Sequence, residues 1–179
     1  ATHGDELITV EVVLGLLDEL LSGYGKDERR TRIVNSAEIY FVPVINPDGF
    51  VRRERYANGV DPNREYPWPG NPSRNPETCI SSVMQFVAGR HFVGSMDFHA
   101  SGELIMFPWA YTESHVPNDD YTWFNQATAE MAATNGYVYG PISEVIYIAQ
   151  GSSADYYYWQ YQVKSLGIEI GQSKVPDPS

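Results

Sequence analysis

A single cysteine, Cys79, stands in 179 residues. No disulfide can therefore form within the chain, and no cage of thiolates can hold a metal. Cys79 reads as a small buried hydrophobe on a helix. Long apolar runs are also missing. The longest, from Ile8 to Leu21, is interrupted by Glu11, Asp18 and Glu19, short of the ~18 apolar residues that a membrane-spanning helix needs. Positive charge is scarce, with 12 Lys and Arg against 23 Asp and Glu for a formal net charge of −11. A polyanion would be repelled by such a surface, which argues against nucleic acid as a partner, as the hydropathy argues against membrane insertion. The sequence reads as containing no targeting segment, no internal repeat and no low-complexity tract. Ala1 leads to His3 with no strand before it, and the chain stops in a Pro-rich, linker-like stretch after Val175, so an excerpt of a longer domain is expected. What is present is the composition of a globular domain: 42% apolar and 20% charged residues, enough for one domain with a full core over 1–179.

Leu7, Val10, Leu14, Leu17 and Leu21 recur at helical steps and predict a helix over 7–21, closed by Ser22-Gly23 and Gly25. Arg29 to Arg32 reads as a solvated loop. The apolar, β-branched run from Ala37 to Ile45 predicts a buried strand emptying into the turn tetrad Asn46-Pro47-Asp48-Gly49. From 46 to 76 no periodicity stands out and prolines recur; so long an irregular stretch inside a domain is usually functional. A helix is predicted over 77–88. Strands are predicted over 92–98, 104–107 and 166–170. Two more helices follow, one opened by Asn118-Asp119-Asp120 and running to about Ala133, the other opened by Ser152 and ending near Gln162. Alternating helices and strands predict an α/β fold, a twisted sheet covered by helices.

Three features carry chemistry. Glu169 stands inside the apolar strand Leu166-Gly167-Ile168-Glu169-Ile170, where a carboxylate is costly unless it faces solvent or has a task. His99 ends an apolar strand at its carboxyl end, where open α/β sheets place ligands, though a lone histidine there is often structural. His3 and Glu6 form H-x-x-E, whose three-residue step puts both side chains on one side of a helical turn. Together, two imidazoles and one carboxylate are a known ligand set for catalytic zinc, with a fourth position left open. Arg52, Arg53, Arg55 and Arg64 cluster within the irregular stretch beside Asn63. This local cationic patch suits carboxylate recognition or oxyanion stabilisation, or is simply a solvated loop. His91 and His115 lack any motif context, and Tyr156-Tyr157-Tyr158-Trp159 reads as packing.

His3-Gly4-Asp5-Glu6, Asn46-Pro47-Asp48-Gly49-Phe50, Gly59-Val60-Asp61-Pro62-Asn63-Arg64, Asp97-Phe98-His99, Ile146-Tyr147 with Gly151-Ser152-Ser153 and Asp155, and Ile168-Glu169-Ile170 occur in this order. Taken together they resemble the signatures of the zinc metallocarboxypeptidases of the carboxypeptidase A and B type, in a bacterial-like form. The resemblance implies a mostly parallel mixed sheet with helices on both faces, apparently lacking terminal elements. It implies one zinc ion on His3, Glu6 and His99, Asp61 behind His3, and Glu169 as general base and acid. Arg55 would stabilise the oxyanion, Asn63 and Arg64 would grip a substrate's terminal carboxylate, and Tyr147 would close over it. Ala154 would floor a pocket for the terminal side chain, with Ala110, Ile142 and Ile146 on its walls. None of these pocket residues is acidic, which favours apolar or aromatic C-terminal residues on a peptide substrate. Two departures stand out. Asp5 occupies a position where carboxypeptidase A members carry arginine, and Lys174-x-Pro176 is nearer to the regulatory branch than to the digestive one. A related amidohydrolase acting on cell-wall peptides or N-acyl amino acids is the alternative. Secretion or a periplasmic location is a family-level expectation.

Overall fold

The computed structural model describes residues 1–175; the linker expected at the chain's end lies, from residue 176 onward, outside the described residues. Four strands form one sheet in the order β1-β4-β2-β3, with β1 at Gly94–His99, β2 at Leu104–Phe107, β3 at Val138–Pro141 and β4 at Lys164–Glu169. β1 and β4 run parallel, as do β2 and β3, whereas β2 and β4 are antiparallel. The helices are α1 (Ile8–Gly23), α2 (Glu28–Ser36), α3 (Pro47–Arg52), α4 (Thr78–Ala88), α5 (Asn118–Ala132), α6 (Ile142–Val145) and α7 (Ser153–Tyr161). Among the described residues, no helix is long and apolar enough to cross a membrane.

Strand alternation sorts the core. On β2, Leu104 and Met106 point into a cluster with Ile142 and Val145 of α6 and Ala154 of α7. Phe107, one residue on, points to the other face and stacks on Phe124 of α5, in a cluster with Leu166 and Ile168 of β4. A third cluster joins Tyr66, Ile80 and Val87 of α4 to Tyr156 and Tyr157 of α7. Burying Leu166 and Ile168 on one face turns Gly167 and Glu169 to the opposite one. That settles the question left open by the sequence: Glu169 lines a cleft rather than open solvent.

Several expectations need correction. Residues 37–45 form no strand, and Ile39, Tyr40 and Val42 are substantially exposed. The segment has no ladder neighbour among the described residues. It flanks an apolar cleft of about 580 Å³ against Met96 and Phe98 of β1, so apolar composition survives there without the hydrogen bonding that makes a strand. Arg29 to Arg32 lie in α2, capped by the Asp27 carboxylate, which accepts from the Arg30 amide at 2.8 Å. Asn46 to Gly49 do more than turn the chain. Pro47 opens α3, and the Asn46 side chain accepts from the Gly49 amide at 3.0 Å. α5 begins from Pro117 with no side-chain cap; Asp119 and Asp120 act through their charge in its first turn. Cys79 is half-buried, its thiol pushed up to about 12 by burial and by Glu77. Of the α1 stripe, Val10 is buried but Leu14 and Leu21 are exposed.

Candidate active site

The first turn of chain, ahead of α1, carries His3 and Glu6, both buried. It lies flat on the start of α3. A Cβ on Gly4 would sit 2.1 Å from the Gly49 carbonyl carbon, so only glycine permits this approach. The end of β1 carries His99 into the same place. His3 Nδ1 lies 2.9 Å from Glu6 Oε1, and His99 Nδ1 lies 3.1 Å from both His3 Nδ1 and Glu6 Oε2. These three residues are the one group of metal-competent side chains found among the described residues. Donor separations suit one small ion: a tetrahedral site with bonds of about 2.05 Å has edges of about 3.3 Å. The chemistry of the set also suits zinc, two nitrogens and one carboxylate oxygen with further coordination space facing a cleft. Glu6, though buried, is held down to about 2 because hydrogen bonding from His3 and His99 outweighs its desolvation.

Behind His3, Asp61 Oδ1 meets the ring's other nitrogen at 2.9 Å, while Asp61 Oδ2 accepts from Arg55 Nε and Nη2 at 3.0 and 2.7 Å. The bonds from His3 and Arg55 outweigh burial and hold this carboxylate well below the usual range. Arg55 is thus fixed at one end and reaches within 3.6 Å of Glu6 with Nη1. Asp61 also caps the 3-10 turn Pro62–Arg64, which presents Asn63 and Arg64 to the cleft. Arg64 Nη1 donates to the Asn63 carbonyl at 2.7 Å and Nη2 to the Tyr147 hydroxyl at 2.9 Å. Tyr147 is otherwise half exposed. Gly151, at φ +78°, packs directly on the Arg64 carbonyl, which a Cβ there would approach to 2.5 Å.

Glu169 closes the opposite side. It pairs with His99 across β1 and β4, and the Ile170 amide donates to the His99 carbonyl at 2.7 Å. Burial, reinforced by Glu6 and opposed by the histidines and Arg55, raises its carboxyl above the ordinary glutamate range. A cleft of about 270 Å³ joins His3, Glu6 and His99 to Arg55, Arg64, Tyr147 and Glu169. Its lining includes Ile142, Ile146 and Ala154, and also Met106, Ala149 and Gly167, which sequence reasoning missed. Ala110 needs correction. It packs behind Met106, Ile142 and Ala154 and does not line the cleft, because its amide is held at 2.8 Å by the buried Asp155 carboxylate. That carboxylate, pushed up to about 7 by burial against the bonds from Ala110 and Tyr111, is committed to backbone and not offered to the pocket. Lys174 also lines the cleft, its ammonium 2.6 Å from Asp5. The sign reversal at Asp5 is thereby offset by a cation from the far end of the chain, and the Lys174-x-Pro176 pattern was its only trace in the sequence.

The chain matches the zinc carboxypeptidase family model, "Peptidase_M14: Zinc carboxypeptidase", over residues 1–179, and belongs to that family. Among curated relatives, it is 28% identical to carboxypeptidase A2 of Mus musculus over 206 residues, covering 93% of this chain and 47% of the relative. It is 30% identical to carboxypeptidase SOL1 of Arabidopsis thaliana, covering 99% and 40% respectively. Among solved structures, thrombin activatable fibrinolysis inhibitor superposes with a TM-score of 0.82 at 21% identity, over 94% of this chain and 52% of that one. A metallo-carboxypeptidase from Burkholderia cenocepacia gives 0.69 at 20%, over 99% and 48%. These structural likenesses establish the fold. The chain spans about half the length of the curated relatives it matches.

Proposed function

We propose that this protein is a zinc-dependent exopeptidase that hydrolyses the last peptide bond of peptides bearing a free C-terminal carboxylate. The observation that carries this reading is the meeting, in one cleft, of His3, Glu6 and His99 with the Arg64–Tyr147 pair. Metal ligands alone fit many hydrolases. An arginine fork beside them, with donors left over after its bonds to Asn63 and Tyr147, selects a substrate that ends in a carboxylate.

Zinc held by His3, Glu6 and His99 would supply Lewis acidity, making water nucleophilic near neutral pH and polarising the scissile carbonyl. Arg64 and Asn63 would bind the terminal carboxylate and so set which bond reaches the reacting groups. Tyr147, hydrogen-bonded to Arg64 and half exposed, would fold over the bound residue. Glu169 would take the proton from the attacking water and pass it to the departing amine, a transfer suited to a carboxyl raised towards neutrality by burial. Arg55, anchored on Asp61, would donate to the developing oxyanion, a contact of the kind worth about 3–4 kcal/mol of transition-state stabilisation.

The side-chain pocket, walled by Met106, Ile142, Ile146 and Ala154, favours an apolar or aromatic C-terminal residue. Glu6 and Glu169, the two acidic residues among those lining the cleft, belong to the metal end, so a terminal Lys or Arg would lose hydration without gaining a partner. An extracytoplasmic site of action follows only from the resemblance to secreted or periplasmic members. The deciding experiment is hydrolysis of N-blocked dipeptides ending in Phe, Leu, Lys or Glu, in parallel with a murein peptide. Release of Phe and Leu is expected; cleavage of the murein peptide alone would assign the chain to the amidohydrolase alternative.

A further inference from the structure

One half-buried carboxylate beside the site has no part in the chemistry above. Asp97 stands two residues before His99 on β1, so the two side chains leave the same face of the sheet. Asp97 Oδ2 lies 3.1 Å from His99 Nε2. The same carboxylate accepts from Thr2 Oγ1 at 2.9 Å and from Ser153 Oγ at 2.6 Å. It therefore ties together the segment leading into His3, the strand ending in His99, and the first residue of α7.

We propose that Asp97 is a positioning residue for the metal centre: it keeps the proton of His99 on Nε2 and so leaves Nδ1 bare towards His3 and Glu6. The inference rests on the metal-centre reading above. Two groups compete for Nε2, the Asp97 carboxylate and the Asn63 side-chain amide nitrogen, also at 3.1 Å. The carboxylate can only accept and the amide nitrogen can only donate. Asn63 cannot resolve the conflict by flipping, because its Oδ1 already accepts from the Ser153 amide at 2.9 Å. A bare Nε2 would set its lone pair against an anionic oxygen in a buried place. A protonated Nε2 gives that oxygen a charge-assisted hydrogen bond, roughly twice as strong as the neutral bond from Asn63 that it displaces. A neutral imidazole carries one proton, so placing it on Nε2 exposes the Nδ1 lone pair, the atom 3.1 Å from both His3 Nδ1 and Glu6 Oε2. His3 is treated alike by Asp61, so each imidazole has its own carboxylate behind it.

The test uses Asp97→Asn, with Ser153→Ala as a milder variant that keeps the carboxylate but removes one of the hydrogen bonds that orient it towards His99. Zinc affinity is measured by competition with a chromogenic chelator, the cobalt-loaded proteins are compared by visible absorption, and thermal unfolding is followed without metal. Asp97→Asn is expected to bind zinc about 10–100-fold more weakly and to shift the cobalt bands, the scale usual when a carboxylate behind a ligating histidine is lost. Ser153→Ala should shift both readouts in the same direction by less. Wild-type affinity and an unchanged cobalt spectrum in folded Asp97→Asn would overturn the proposal, even with a lowered melting temperature, because that is how a purely structural residue behaves. Should Asp97→Asn not fold, an unaltered cobalt spectrum in Ser153→Ala overturns it instead. Failure of the wild-type chain to take up zinc would sink the metal-centre reading, a different result from loss confined to the variants.

Discussion

Arg64 offers the sharpest perturbation of the proposed activity. Its guanidinium has five N–H donors, two of them committed to the Asn63 carbonyl and the Tyr147 hydroxyl. Three remain on a residue that lines the same cleft as His3, Glu6 and His99, enough for a two-point grip on a carboxylate. Charge-assisted hydrogen bonds of this kind are worth about 1.5–3 kcal/mol each, so losing a two-point grip in Arg64→Ala should cost about 3–6 kcal/mol of transition-state binding. At about 1.4 kcal/mol per decade, kcat/KM should fall by about 10²–10⁴. Arg64→Lys keeps the charge but not the fork, and should lose about 10–100-fold. The assay is a matched pair of N-blocked dipeptides, one ending in a free carboxylate and the other in an amide. The wild-type protein should strongly prefer the acid. In Arg64→Ala the acid should lose nearly all of its advantage while the slow amide reaction stays where it was. Zinc content should not change, since the hydrogen bonds of Arg64 go to Asn63 and Tyr147 and not to the metal ligands. An acid-to-amide ratio unaltered in Arg64→Ala would refute carboxylate selection by this residue.

Glu169 must be ionised to accept a proton, and burial favours its protonated form; kcat/KM should therefore drop with falling pH through a midpoint above that of an exposed glutamate, about 4.3, and Glu169→Gln should abolish turnover while retaining zinc. A midpoint at or below the exposed value, or residual turnover in the variant, contradicts the assignment. Gly151→Ala combines a positive-φ position with a backbone clash on Arg64; together these should cost about 2–4 kcal/mol, seen as a melting temperature lower by about 5–15 °C and a raised KM. Zinc at a hundred times its Kd should stabilise the chain by about 2.7 kcal/mol, a rise of about 5–10 °C that chelation reverses; no shift on either treatment would deny a metal bound to the native state.

Much of this was legible because local periodicity is a local property. α1, α4, α5 and α7, and the strands β1, β2 and β4, all follow apolar spacing or a helix-opening residue that the chain carries on its face. His3 and Glu6 were readable together because three residues separate them. The failures share one cause: pairing and packing partners lie elsewhere in the chain. Residues 37–45 have the composition of a buried strand, but a strand needs a neighbour to share hydrogen bonds, and composition cannot supply one. β3 is four residues long and ends in Gly140-Pro141, too short for alternation to register. Met106 and Gly167 lie in strands whose apolar residues all look alike; only the register of β2 against β4 reveals which of them face the cleft. Asp97 was visible as part of a motif, but its three partners come from residues 2, 99 and 153.

The residues with no chemistry of their own explain why the recurring blocks of this sequence belong together. Gly4 lies against the backbone of Gly49, so the turn bearing His3 and Glu6 can rest on α3 only if residue 4 lacks a side chain; Gly49 must be bare for a different reason, since a Cβ there would strike the Asn46 side-chain amide at 2.4 Å. Asn46 holds α3 by accepting from Gly49 and donating to the Tyr56 carbonyl at 3.2 Å. The chain then runs through Arg55 to Asp61, and Asp61 returns to His3. This is a closed mechanical circuit in which the proposed metal ligand His3 is located from one side through the backbone contact of its turn and from the other by a carboxylate. A buried imidazole located from both sides loses little freedom on taking up an ion, so the ordering cost of the centre is met when the chain folds and not when metal binds. The arrangement explains why glycine, asparagine and proline, none of them able to ligate through a charged side chain, fill so much of the sequence between the proposed ligands.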